Sequence, residues 1–222
     1  KAELWNNRAR FNTAIFLTDF SDLQVSGFES PGFVVGNAAE SEVRGVEMDF
    51  VIAATDELTF TGAWAYLDST YKSYAKAACT VYQQTDGTCA ANGRFQDLSG
   101  ATLQFAPQWA GNLSVDYVRP LTAGIDFRGR LDALYSDDVS IAPDGDPNVV
   151  QESYWKFNAI VAIESQNDTW SVALVGKNLT DETTFNWGND ATLAGLGFGF
   201  EYAYFHIIEA PRTLELQVRL NF

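Results

Sequence analysis

Residue types that could do chemistry are few in this chain, and their spacing is poor for most of it. His206 is the single histidine; no serine elbow or partner carboxylate accompanies it, so it makes no convincing general base and the chain reads as a non-enzyme. Cys79 and Cys89 share one polar segment, Ala77-Ala78-Cys79-Thr80 to Gly87-Thr88-Cys89-Ala90. With no histidine and no second cysteine pair nearby they make a poor zinc site. In an oxidising compartment they are expected to pair as a disulfide that pins the loop. Asp144-Gly145-Asp146 offers two carboxylates, but the further acids and distal Glu of a calcium loop are missing, so a turn is the reading. Gly195 to Phe200 superficially resembles a phosphate loop, yet lacks the following Lys-Ser/Thr and the strand-to-helix context. No metal and no cofactor is expected.

What remains are aromatic rings. Phe185, Trp187, Tyr202, Tyr204 and His206 fall in the last long connection, where they serve either as contacts for a bound solute or as loop packing. Gly195, Gly197 and Gly199 alternate with Leu196, Phe198 and Phe200. That pattern predicts a β-extension whose glycine face either admits a close approach or only follows strand twist.

The elements that must carry these rings announce themselves by a period of two. Along Thr213 to Phe222, Leu214, Leu216, Val218, Leu220 and Phe222 fall on one face, and Thr213, Glu215, Gln217, Arg219 and Asn221 on the other. The same alternation recurs at Val46–Ile52, Leu58–Tyr66, Trp109–Val118, Ile125–Tyr135, Trp155–Ile163 and Trp170–Leu174, and less cleanly over Phe11–Val25, where Phe16 and Phe20 have the wrong parity. These are eight predicted strands, several about twice the usual length for a soluble sandwich. The connections alternate too. Ala54–Asp56, Arg119–Ala123 and Ser165–Thr169 are short; roughly 26–40, 72–107, 137–153 and 181–211 are long. Loops of that length are uncommon in compact domains unless functional, and short turns opposite long loops are the pattern of outer-membrane barrels. Counting strands back from Phe222 makes Lys1–Glu3 the stub of a strand whose beginning lies outside the chain.

Composition supports the same class. No run approaches the roughly 20 apolar residues of a spanning helix, while 14% of the residues are aromatic, for which membrane-interface girdles are one explanation. The net charge of −15 is dispersed, which makes nucleic acid an improbable partner and a solvated acidic surface the plain reading.

Four ordered segments then carry a resemblance. Phe16-Leu17-Thr18-Asp19-Phe20-Ser21-Asp22-Leu23-Gln24-Val25, Gly45-Val46-Glu47-Met48-Asp49-Phe50, Val175-Gly176-Lys177-Asn178-Leu179-Thr180-Asp181-Glu182, and Pro211-Arg212-Thr213 with the strand that follows resemble the C-terminal third of TonB-dependent outer-membrane transporters, barrels of about 22 strands with a plugged lumen. The resemblance implies an all-β, antiparallel transmembrane barrel, of which residues 1–222 supply about eight C-terminal strands, the plug and earlier strands lying elsewhere. It implies energy-dependent uptake of a scarce large solute such as a ferric siderophore, cobalamin or an oligosaccharide. The partners it implies are TonB, the rest of the same barrel, the lipid and lipopolysaccharide of the outer membrane, and the barrel-assembly machinery. Phe222 would be the aromatic end that this machinery reads, or an interface anchor. The alternatives are a self-contained eight-stranded barrel acting as adhesin or anchor, and a soluble all-β binding domain; pairing of the first long strand with the last would favour the small barrel.

Overall fold

In the computed structural model residues 1–29, 32–37, 40–91, 93, 95–191 and 203–221 are described, with the backbone alone for 26–29 and 32–37. The alternating runs fold as strands because successive side chains leave opposite faces of the backbone and so meet different surroundings. β1 (Ala2–Leu4) turns at Trp5–Arg8 into β2 (Ala9–Phe20), and β3 (Gln24–Glu29) with β4 (Gly32–Asn37) forms a separate hairpin. β5 (Glu40–Ala53) and β6 (Leu58–Ser73) precede two short helices, α1 (Val81–Thr85) and α2 (Thr88–Ala91). β7 (Trp109–Thr122) and β8 (Ile125–Ser136) are followed by the short pair β9 (Val139–Ser140) and β10 (Val150–Gln151). β11 (Tyr154–Ser165), β12 (Trp170–Lys177), the hairpin β13 (Phe185–Asp190) and β14 (Tyr204–Ile208), and β15 (Thr213–Leu220) complete the order.

Among the described residues, nine strands form one antiparallel sheet in the order β1-β2-β5-β6-β7-β8-β11-β12-β15. Every spanning strand pairs with the next one in sequence, and β2 does not pair with β15, so the sheet is open with β1 and β15 at its edges. The predicted strand over Phe11–Val25 is shorter than expected. β2 stops at Phe20, Asp22 adopts φ 57°, and Leu23 and Val25 turn to pack on the loop cluster of Tyr71, Tyr74 and Ala77. The long connections also hold their own small elements, β3–β4, α1–α2, β9–β10 and β13–β14. Phe222 lies outside the described residues.

Register keeps one face apolar across the middle of the sheet, while at one end of β2, β5 and β6 the same face carries the Arg44–Asp68, Lys72–Asp19 and Lys72–Glu42 ion pairs. Met48, Trp64, Gly111, Tyr135 and Trp155 are paired in a row over five strands. Gly111 is what lets that row close up, since a Cβ there would lie 2.5 Å from the Trp64 ring. Trp64 then reaches Tyr135 (centroids 6.1 Å) and Trp155 (6.2 Å), and Tyr135 meets Trp155 at 4.9 Å. The face is exposed, with Ile15 82% and Leu216 72% accessible; a water-facing sheet has no use for such a surface. No described helix is long and apolar enough to cross a membrane, so any crossing is made by strands. The wrong parity of Phe16 has a local cause. It stands on the polar face opposite Gly45, where a Cβ would come within 2.9 Å of its ring and 2.4 Å of the Tyr66 carbonyl.

The other face is a lattice of charges in hydrogen-bond contact. Arg130 donates to Asp132 (2.9 Å), to Ser114 (3.2 Å) and to Asp116 (3.4 Å); Arg128 pairs with Glu164 at 2.9 Å, and Asn12 donates to Asp49 at 2.8 Å. Each exposed pair contributes little alone. Together they fill the polar face with groups of both signs.

Candidate ligand-binding loops

The last long connection is clamped at its base by the segment after β12. Asn178 has φ 49°, a left-handed conformation that Asn tolerates better than other side chains. Its Oδ1 accepts the Glu182 N–H at 2.9 Å, while its Nδ2 donates to the Glu182 carbonyl (2.9 Å) and to the Ala210 carbonyl (3.4 Å). Asp181 accepts the Arg212 N–H at 2.8 Å, and Arg212 Nη1 donates to the Leu179 carbonyl at 3.4 Å. One short motif thus holds both ends of a loop of some thirty residues. A second brace stands beside it. Lys156, on the polar face of β11, donates to Thr184 and to Glu209, both at 2.5 Å, and Thr184 donates to Glu209 at 2.7 Å. Lys156 and then Thr184 hold the Glu209 carboxyl below its usual range.

Above that base the β13–β14 hairpin packs on the β9–β10 loop. Ile141, Ala142 and Val149 are fully buried there, with Phe185 and Tyr204 against them. The sequence-predicted rings separate at this point. A bulge between Phe185 and Trp187 breaks the alternation, so the two fall on opposite faces of the hairpin. Phe185 stacks with His206 (4.5 Å between centroids) and turns to the loop core with Tyr204, whereas Trp187 meets Phe205 at 5.2 Å on the other face. Phe205 and Ile207 on that face are exposed. Tyr202 and the glycine-alternating stretch 195–200 lie outside the described residues.

The loop containing the cysteines closes over the same core. Thr80 caps α1 through a capping box with Gln83, the reciprocal arrangement that satisfies two orphan donors at a helix start. Cys79 and Cys89 are joined by a disulfide, with Cα atoms 6.0 Å apart. Gln96 Nε2 bridges this loop to the next, donating to the carbonyls of Ala78 (2.6 Å) and Asp144 (2.7 Å). The third link is a cluster of acids. Asp144, Asp146 and Asp190 are 6%, 1% and 2% exposed, and Asp190 Oδ2 accepts the Val81 N–H at 2.5 Å. Burial lifts the Asp144 carboxyl to about 6, with Asp146 adding to it. Burial, followed by the neighbouring Asp144 and Asp146, lifts Asp190 to about 7 against the opposing pull of the Val81 N–H. Asp144 and Asp190 line a cavity of about 20 Å³ together with Cys79 and Val81. No group of three or more His, Cys, Asp or Glu side chains among the described residues is placed to hold a metal ion. Asp144-Gly145-Asp146 is a turn, with Gly145 at φ 67° and the Asp146 N–H donating to Asp144. Asp190 had no signal in the sequence, being one acid in a polar stretch.

Below the loops, the polar face of the sheet carries a recess of about 690 Å³. Asn12, Glu47, Asp49, Asn112 and Tyr154 line it over a floor of alanines.

Residues 1–179 match the family model for the β-barrel of TonB-dependent receptor-like proteins. No sequence among curated proteins matches. Among solved structures, the chain is similar to the ferric yersiniabactin uptake receptor FyuA from Yersinia pestis, with TM-score 0.72 and 15% identity over 98% of this chain and 28% of that one. It is similar to the siderophore receptor PiuA from Acinetobacter baumannii (TM-score 0.67, 20% identity, 97% of this chain and 26% of that one). It is also similar to the ferric-catecholate import receptor Fiu from Escherichia coli K12 (TM-score 0.65, 19% identity, 99% and 26%). The chain thus spans about a quarter of the length of these structures.

Proposed function

The chain belongs to the TonB-dependent receptor β-barrel family, and from that premise we propose that it is the C-terminal wall of an outer-membrane receptor importing a scarce large solute, of which a ferric siderophore is the best-supported class. The apolar face then contacts lipid and lipopolysaccharide, the polar face looks into the lumen, and the long loops reach outside the cell. The observation that carries the reading is the contrast between the faces: a continuous exposed row of apolar side chains on one and a lattice of paired charges on the other. A lumen occupied by water and a plug accommodates such a lattice, and lipid does not. Energy would come through TonB acting on a plug in another part of the protein. The chain contributes no chemical step, only wall, lid and contacts.

Trp187 and Phe205 are the contacts we assign to the solute, because their paired rings stand on the hairpin face that the loop core leaves open. The eight-stranded adhesin or anchor is not favoured, because the sheet stays open between β2 and β15. The test is uptake of radiolabelled ferric siderophores by cells carrying the full-length receptor. Trp187→Ala is expected to lower apparent affinity about tenfold, as loss of an aromatic hot spot does, with outer-membrane abundance unchanged. Unaltered uptake across a siderophore panel in a strain deleted for the whole receptor would remove the siderophore assignment.

A further inference from the structure

Three loop segments distant in sequence meet at the buried acids. Asp144 and Asp146 come from the β9–β10 loop, Asp190 from the end of β13, and the Val81 N–H from the start of α1. Tyr74 also faces Asp144; burial and then Tyr71 and Asp144 raise it to about 12, so it stays neutral. The largest influences on both acids are burial, backbone N–H groups and one another, with no cation among them. Within the cluster, Asp190 Oδ1 is buried without a hydrogen-bond partner. Its neighbours there are carboxyl groups, Asp146 being close enough to share a hydrogen bond. Two carboxylates cannot donate to each other. Uncompensated burial of an ionised carboxylate is costly enough that such a group neutralises instead.

We infer that Asp190 and Asp144, packed against Asp146, form a proton-held latch that fastens the β13–β14 hairpin to the β9–β10 loop and to α1, closing when Asp190 and Asp144 share a proton and loosening when it is lost. A proton on Asp190 Oδ1 supplies the missing donor, and Oδ2 keeps the Val81 N–H. Without it, like charges face one another in a buried setting. The sign follows from the direction of the shifts. Both folded values lie above the ordinary carboxylate value, so the latch is complete below that value and is lost as pH rises toward about 7. These loops face outside only on the reading proposed above, so the latch would tie the mobility of the receptor's outer surface to the acidity of the medium.

The test is hydrogen exchange at the Val81 amide in the purified full-length receptor in detergent, corrected for intrinsic exchange at each pH and run in excess chelator. Protection is expected to fall about tenfold from pH 5.5 to 8, the effect of roughly one unit of differential proton affinity. Asp190→Asn retains the acceptor for Val81 and cannot lose a proton, so its protection should vary less than about twofold over the same range. Asp144→Asn, which leaves the Val81 contact untouched, should flatten the profile in part and serves if the first variant does not fold. A wild-type profile as flat as the variants' overturns the latch. So does protection that changes with added calcium at fixed pH and not with pH in chelator, which would place a cation where the proton is proposed. Because no transport is measured, either failure leaves the uptake reading standing.

Discussion

Asn178 ties both ends of the last long connection together through one side chain. Replacing it with Ala strips partners from the Glu182 N–H, the Glu182 carbonyl and the Ala210 carbonyl, and it leaves a residue poorly suited to φ 49°. Each buried group left unpaired costs roughly 1–3 kcal/mol, and partial solvent access discounts the sum, so about 2–4 kcal/mol of local stability is expected to go. Limited proteolysis of the full-length receptor should show the 183–209 segment cut at least thirtyfold faster while the sheet stays resistant. Asn178→Gly, which restores only the backbone freedom, should recover a minor part. This residue was legible as part of a family-like pattern, yet its role was not, because the pattern does not say that Ala210 returns to the same side chain. Asp190 was less legible still. Its burial depends on a turn 46 positions earlier and a helix start more than 100 positions earlier, and nothing local to Asn189-Asp190-Ala191 encodes either.

At the scale of elements, the spanning strands were readable because lipid-like and polar surroundings impose a strict period on their two faces. The loops carry no such constraint, so their small elements left weaker marks. Thr80-Val81-Tyr82-Gln83 does contain the capping-box spacing that starts α1, a signal available in the sequence. The bulge at β13 was not available, and it is what parts Phe185 from Trp187. The glycines inside strands were equally silent until their neighbours were known. Gly111→Val should be among the costlier single changes in the sheet, because the added Cβ meets both the Trp64 ring at 2.5 Å and the Ala63 carbonyl at 2.8 Å. Overpacking of this kind costs about 1–3 kcal/mol; a lowered denaturant midpoint and an altered near-ultraviolet circular dichroism of the Trp64, Tyr135 and Trp155 cluster would register it. The disulfide acts on a different element. A loop of ten residues closed by Cys79 and Cys89 constrains the unfolded chain by about 3 kcal/mol, so Cys79→Ser with Cys89→Ser should free α1 and α2 to proteolysis and leave the denaturant midpoint of the sheet unmoved.

For the molecule as a whole, the question is which solvent each face meets, and neighbouring positions on β15 can answer it. Leu216 and Gln217 are adjacent, in the middle of the strand, on opposite faces, and paired with Leu174 and Ala173 of β12. Gln217 donates to Glu215 at 3.2 Å, and Lys177 stands 3.8 Å from the same acid, so a cation at 217 would join an existing polar group. A cation at 216 would stand among Leu214, Leu220 and Val218, each at least 60% exposed. If that face is in hydrocarbon, Leu216→Arg should destabilise the full-length receptor by about 2–4 kcal/mol near the bilayer midplane, and Gln217→Arg by less than about 1 kcal/mol, measured by denaturant titration in lipid vesicles. In water the ordering would change sign, because trading an exposed leucine for arginine on a wetted sheet removes apolar surface and improves solubility. Comparable costs at the two positions would mean that neither face is selectively in lipid, and the membrane reading would fail with them. The net charge of −15 fits the same partition. Most carboxylates lie in loops, turns and the polar face; those on the outer face, Asp19, Glu42 and Asp68, stand at the ends of their strands paired with Lys72 and Arg44, and the band between Leu214 and Leu220 on that face carries none.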